Sequence, residues 1–199
     1  MNIFQSIFDF IFFPVRVVLP NEWSSALGLT SMRDERIRAV GQYLKGRLLD
    51  LGCGINELIK EYKNGYGVDV YPWSGIDVLC DTRRLPFKNA SFDCCTLLAS
   101  LNHVPSLKRA DVLQEAKRVL KNKGLIIVTM INPVLGNIGH LTIWRWWDPD
   151  QKISGIKEGE EFGMWSDDVK SLLEEVGFKI VIHKKFTYNL NNLFVFEKV

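Results

Sequence analysis

From Leu48 onward the chain alternates short apolar runs with helical stretches, and this alternation constrains the fold more than any other feature. The runs are LLDL (48–51), YGVDV (66–70), GIDVLC (75–80), FDCCTLL (92–98) and GLIIVTM (124–130). Between them, 55–63 reads as a short helix, and 108–121 carries Val112, Leu113, Ala116, Val119 and Leu120 at helical spacing. GLIIVTM lacks polar alternation, which predicts a strand buried on both faces. A second amphipathic helix is predicted at Asp167–Val176, with Ser166 as its N-cap and Gly177 just past its end. Segments 178–186 and 191–198, separated by a short polar turn, predict an antiparallel hairpin. Strands joined by helical crossovers make a parallel sheet covered on both sides. The expectation is an α/β domain: a doubly wound, mostly parallel seven-stranded sheet with a C-terminal antiparallel hairpin.

Composition limits what such a domain does. The 199 residues carry 25 basic and 23 acidic side chains, a net charge of +2, so no single-sign field covers the molecule. Segment 108–123 has six basic against two acidic groups and 157–175 two basic against seven acidic, patches that read as solvated helix faces. A nucleic-acid binder shows a clustered basic surface, and no nucleic-acid partner is expected. The cysteines are Cys53, Cys80, Cys94 and Cys95, without a C-x-x-C pair. Cys94 and Cys95 are neighbours on a predicted strand and point to opposite faces, a poor arrangement for sharing a metal. They read as small apolar fillers in a reducing compartment; no metal is expected, and a cytoplasmic location is.

The first twenty residues, MNIFQSIFDFIFFPVRVVLP, interleave Asn2, Gln5, Ser6, Asp9 and Arg16 with Phe and Ile near a helical period. Asp9, Pro14 and Arg16 interrupt the stretch too often for a bilayer span, which needs ~20 apolar residues. It also lacks the basic start and small-residue cleavage site of a signal peptide. Residues 1–30 are expected to form an apolar extension built on an amphipathic helix, ahead of a main domain at 31–199. That helix either packs over the domain or its substrate mouth, the favoured reading, or makes peripheral contact with a membrane.

Ligands of such sheets bind beyond the carboxyl ends of the strands. The first strand-to-helix junction reads Asp50-Leu-Gly52-Cys-Gly54, where glycines let the backbone turn sharply and approach a ligand. The third glycine of a dinucleotide-binding G-x-G-x-x-G is replaced by Glu57, which disfavours a pyrophosphate. Asp50 also suits a ligand with a cationic end better than one with phosphates. Asp69 ends the second strand, seventeen residues after Gly52, placed to accept two ribose hydroxyl bonds. Asp81, followed by Thr82, ends the third, where a carboxylate accepts from an exocyclic amine.

Taken together, LLDLGCGIN, YGVDV, CDTRRLPF, FDCCTLLASLNHV and EAKRVLKNKGLIIVTM resemble a class I S-adenosylmethionine-dependent methyltransferase of the small-molecule type. The resemblance covers about Leu48–Met130, and the terminal helix and hairpin extend it. It implies a Rossmann-like fold with S-adenosylmethionine as cofactor. Asp50, Gly52 and Gly54 would line the methionine part, Asp69 the ribose and Val70 the adenine. Asp81 would meet the adenine amine beside the Thr82 backbone, and Leu98 would touch the cofactor through its main chain.

Acceptor chemistry would come from elsewhere. His103, in LNHV after the fourth strand, is the best-placed general base, although Asn102 stands where relatives carry an acidic residue or a histidine. The 36 residues 131–166 are long for a connection and are expected to be an acceptor-site lid or insertion, with Trp144, Arg145, Trp146, Trp147 and Trp165 available to stack on an acceptor. No Asn-Pro-Pro-Tyr-type signature follows the fourth strand. With the oily N-terminus, this points to methyl transfer onto a small-molecule or lipid-linked acceptor. The competing readings are a non-catalytic binding or partner subunit of the same fold, an RNA or protein methyltransferase, and an NAD-dependent oxidoreductase, which Glu57 disfavours.

Overall fold

Each apolar run becomes a strand, because sheet pairing satisfies the backbone of segments this deeply buried. The computed structural model describes residues 3–138 and 161–199. Its strands are β1 (Leu48–Leu51), β2 (Gly65–Asp69), β3 (Val78–Leu79), β4 (Phe92–Leu98), β5 (Leu120–Ile131), β6 (Phe178–Phe186) and β7 (Asn191–Lys198). They form one seven-stranded sheet in the order β3-β2-β1-β4-β5-β7-β6. Strands β1 to β5 are parallel, and β7 runs antiparallel between β5 and β6. The run at 75–80 shrinks to two paired residues. Asp77 is drawn out of the strand, its carboxylate accepting from Gly67 N at 2.8 Å and Asn56 Nδ2 at 2.9 Å.

Ahead of β1 lie α1 (Ile3–Ile11), α2 (Phe13–Val18), α3 (Asn21–Ala26) and α4 (Met32–Gly41). Further on come α5 (Glu57–Tyr62), α6 (Arg109–Val119), α7 (Pro133–Ile138) and α8 (Ser166–Val176). Ser166 is the first helical residue of α8 rather than its cap; Trp165 takes that position without a side-chain bond. Gly177 closes the helix at φ 94°, a left-handed geometry that favours glycine.

Two apolar layers sandwich the sheet. One gathers Leu49, Leu51, Cys95 and Leu97 with Val112, Leu113 and Ala116 of α6 and Val169 and Leu173 of α8. The other gathers Leu48, Cys94 and Ile127 with Ile37 and Val40 of α4 and Leu58 and Ile59 of α5. Cys94 and Cys95 thus face opposite layers, and burial pushes the Cys94 thiol up to about 12 and that of Cys95 well above its usual range. Both are inert fillers.

The N-terminal segment packs on the protein through its polar side, the reverse of what an amphipathic pattern normally does. Asp9 and Arg16 are buried, while Ile3, Phe4, Ile7, Phe10 and Ile11 are exposed. The cause is the backbone of the following loop. Thr30 N donates to Asp9 Oδ1 at 2.9 Å, and Thr30 O accepts from Arg16 Nε at 2.7 Å. Gln5 Nε2 donates to Asp9 Oδ1 and to Gly28 O. Burial works against the Asp9 charge, but these donors and Arg16 hold its carboxyl below the usual range. Arg16 also pairs with Glu35 at 2.6 Å, and Glu35 accepts from Thr187 N at 3.0 Å, which ties the segment to the β6–β7 turn. Among the described residues, no helix is long and apolar enough to cross a membrane.

Candidate functional site

The order of strands reverses at β1, so the carboxyl ends of β1, β2 and β4 open one crevice. At Gly52 the chain must turn at φ 72°, and a Cβ there would lie 2.6 Å from Ser100 Cβ. Both constraints require glycine. Ser100 occupies that space because its hydroxyl donates to Leu51 O at 2.8 Å. Gly54 is different: it also has positive φ, but a Cβ would meet nothing within 4 Å. It faces open space, as a backbone approached by a ligand must.

Asp69 braces this turn from β2. Its carboxylate accepts from Gly54 N and Tyr71 N, both at 3.0 Å. It is nearly buried, whereas Val70 beside it is exposed. Asp50 lies in β1 opposite Thr96 of β4, whose hydroxyl donates to Asp50 Oδ1 at 2.6 Å. Burial pushes the Asp50 carboxyl up to about 7; the Thr96 bond opposes the rise and the charge of Asp69 adds to it. The result is a buried acid with one hydrogen-bond donor among the described residues, adjoining an open glycine turn. A cationic group would supply the missing compensation.

Asp81 lies past β3, half-exposed, and is engaged by Arg83. The Arg83 backbone N–H, Nε and Nη2 donate to its carboxylate at 2.9, 3.0 and 2.6 Å, and these bonds hold it below the usual range. Thr82 is nearly buried beside it. Leu98 closes β4 half-buried, after which Ala99 turns at φ 53° and donates to Thr129 O. Asp50, Gly52, Gly54 and Asp69 are thus joined through direct bonds and adjoining strands, while Asp81 stands further along the same edge, bound to its own arginine.

His103 ends a one-turn 3-10 helix, Leu101–His103, with a half-buried ring that receives no hydrogen bond from the described residues. The neighbouring Asn102 is buried and works elsewhere. Its Nδ2 donates to Glu161 O at 2.9 Å and its backbone O accepts from Glu161 N at 3.0 Å. Buried Arg109 completes the clasp, pairing with Glu161 at 2.8 Å and donating to Val104 O at 3.0 Å. Trp144, Arg145, Trp146, Trp147 and His140 lie outside the described residues; Trp165 is exposed ahead of α8. His183 is structural: its Nε2 lies 2.9 Å from Asn192 Oδ1 and its ring stacks on Phe194. Glu57 heads α5 and pairs with Arg33 at 2.6 Å. Sequence reasoning missed Thr96, Ser100 and Arg83. Thr96 and Ser100 act on residues 46 and 49 positions away, across a strand register no local pattern reveals. Arg83, two residues after Asp81, was readable.

A 3-2-1-4-5-7-6 sheet with this acid–glycine turn and a second acid on β2 agrees with the resemblance to class I S-adenosylmethionine-dependent methyltransferases. Residues 49–128 match the family described as "Methyltransferase domain". An uncharacterized protein of Methanocaldococcus jannaschii is 38% identical over 95 residues, 43% of this chain and 37% of that protein. The chain matches about two-fifths of the length of the first curated relatives. The ubiquinone/menaquinone biosynthesis C-methyltransferase of Rickettsia prowazekii is 24% identical over 186 residues, 85% of this chain and 74% of that enzyme. Among solved structures, the 1,6-didemethyltoxoflavin-N1-methyltransferase of Burkholderia thailandensis has the same fold, with TM-score 0.64 and 13% identity, covering 84% of this chain and 80% of the other. S-adenosylmethionine is the cofactor of the class, and the site fits it: Gly54 leaves the approach open and Asp50 has no cationic partner among the described residues.

Proposed function

We propose that the protein transfers a methyl group from S-adenosylmethionine to a small-molecule or lipid-linked acceptor. The observation that carries the reading is Asp50, a buried, undercompensated acid beside the open Gly52–Gly54 turn. The cofactor supplies an electrophilic methyl group on a sulfonium centre, so the chain has mainly to bind and align. Asp50 and the turn would hold the cationic methionine end. Asp69 would exchange its bonds to Gly54 N and Tyr71 N for ribose hydroxyls, and exposed Val70 would lie against the base. Asp81, steadied by Arg83, would accept from the exocyclic amine beside Thr82, and the main chain at Leu98 would close the far side. His103, with its ring unengaged by the described residues, would take a proton from an acceptor that holds one at neutral pH. Segment 131–166 would cover the acceptor. The similar protein named for ubiquinone/menaquinone biosynthesis supports this acceptor class.

Calorimetric titration with S-adenosylmethionine, S-adenosylhomocysteine and NAD tests the cofactor reading. The two adenosyl sulfur compounds are expected to bind and NAD to fail. Asp69→Ala should weaken binding by about 1–3 kcal/mol without unfolding the domain, through lost charged hydrogen bonds. Unchanged affinity in that variant would remove Asp69 from the ribose site, and absence of binding by the intact chain would make it a non-catalytic member of the fold.

A further inference from the structure

Asp81 alone would be a poor reader of a nucleobase. Its side chain stands past a two-residue strand and is 41% exposed. In such a place water competes for every bond, and an untethered carboxylate must give up rotational freedom before it can select a donor. Arg83 removes the second handicap. Its backbone N–H donates to Oδ1 at 2.9 Å. Its Nε leans on both oxygens, 3.0 Å from Oδ1 and 3.1 Å from Oδ2, and its Nη2 donates to Oδ2 at 2.6 Å. The guanidinium thus grips the carboxylate through two nitrogens, the geometry in which an arginine fixes a carboxylate plane. A carboxylate oxygen has about two lone-pair directions. The backbone N–H and Nε fill those of Oδ1, and Nη2 takes one on Oδ2. One acceptor direction, on Oδ2, stays open among the described residues.

The loop keeps its place by other means. Arg84 N donates to Asp81 O at 2.8 Å, and Leu85 N donates to Glu115 Oε2 of α6 at 2.8 Å. Arg118 of α6 donates to Leu85 O at 3.0 Å and to Phe87 O at 2.8 Å. Backbone position and side-chain orientation therefore have separate causes: α6 sets the first and Arg83 the second. Losing the guanidinium would free the Asp81 carboxylate without moving the loop that carries it.

We infer that Arg83 is a positioning residue for nucleobase selection: it fixes the one open lone pair of Asp81 as an acceptor for the exocyclic amine of the cofactor's adenine. The inference rests on the cofactor reading above and adds the residue that makes Asp81 selective. An amine N–H donates along one direction, so an acceptor already held in one direction forms the bond at little cost in ordering. A base without the amine leaves that lone pair to water and gains nothing from the arrangement. Arg83 accordingly governs the difference between the two bases, rather than the strength of binding as a whole.

Calorimetric titration with S-adenosylhomocysteine, and with its analogue carrying purine in place of adenine, tests this. The wild-type chain should prefer the amine-bearing compound by about tenfold, the low end for a hydrogen bond to a charged group. Arg83→Met should cut the preference to about threefold or less, while affinity for the purine analogue stays within about twofold. Arg83→Lys keeps the charge without the fork and should recover part of the preference. Asp81→Ala should abolish it, and adding Arg83→Met to that variant should change it no further, since the two residues act as one unit. Melting temperatures should stay near that of the wild type, because α6 holds the loop. Equal weakening of both compounds by Arg83→Met would make the arginine structural only and overturn the inference. A preference that survives in Arg83→Met would overturn it as well. Equal binding of both compounds by the wild-type chain would remove Asp81 as the acceptor of the amine and this inference with it, whereas binding of neither would sink the cofactor reading itself.

Discussion

Asp50→Asn should make the empty protein more stable at high pH while weakening its cofactor site. Burial raises the folded carboxyl to about 7, against an ordinary value near 4 in the unfolded chain. Between those values the folded protein holds a proton that the unfolded chain has released. Stability therefore falls as pH rises from about 4 and levels out above about 7. At about 1.4 kcal/mol per pH decade, the full decline is at most about 4 kcal/mol, of which about 3 falls between pH 5 and pH 8. Asparagine keeps an oxygen for the Thr96 hydroxyl and has no charge to desolvate, so its variant lacks this decline. Urea unfolding of both proteins at pH 5 and pH 8 measures it, because other titrating groups cancel in the difference. The variant's advantage should grow by about 3 kcal/mol across that range. Its affinity for S-adenosylmethionine should drop by about tenfold or more, since a buried cation loses its counter-charge. For the wild type, affinity should rise with pH through about 7 as the carboxylate forms. Parallel pH–stability curves for the two proteins would refute the account of Asp50 as an undercompensated acid.

Other expectations follow from single contacts. Gly52→Ala should cost about 1–2 kcal/mol for left-handed backbone plus the overlap with Ser100; adding Ser100→Gly should recover the overlap portion, read as melting temperature. Arg109→Ala should destabilise by about 2–3 kcal/mol, because Val104 O and Asn102 O lose a buried donor, and hydrogen exchange should quicken around 101–104. Arg16→Met keeps the apolar stem of the side chain but strands Thr30 O and Glu35, so it should lower the melting temperature by several degrees.

Strand bounds were legible wherever an apolar run was bracketed by turn residues: 92–98, 178–186 and 191–198 match residue for residue. The run at 75–80 misled because its Asp77 serves two partners outside the strand. Helix α4 gave no signal. Its segment MRDERIRAVG is half charged, and Ile37 and Val40 are its buried side chains; Ser31, accepting from Asp34 N, was the available cue. The acid–glycine turn was readable since each residue has a local reason. Its supports were not, because Thr96 and Ser100 reach it only through the pairing of β1 with β4. The N-terminal helix was readable as a helix, but its orientation was set by two backbone atoms of Thr30, a demand that side-chain periodicity does not register.

The place of β7 carries a kinetic cost. This strand follows β6 in the chain yet lies inside the sheet, between β5 and β6. Until it arrives, β5 presents an unpaired apolar border, and the layers on both sides lack Leu193, Phe194, Val195 and Phe196. A nascent or partly unfolded chain missing this one strand is therefore an open template for another copy's edge. The rate at which β6 and β7 close as a hairpin and insert sets how long that window lasts. Substitutions in the Thr187–Leu190 turn should thus change aggregation yield during refolding more than the stability of the finished fold.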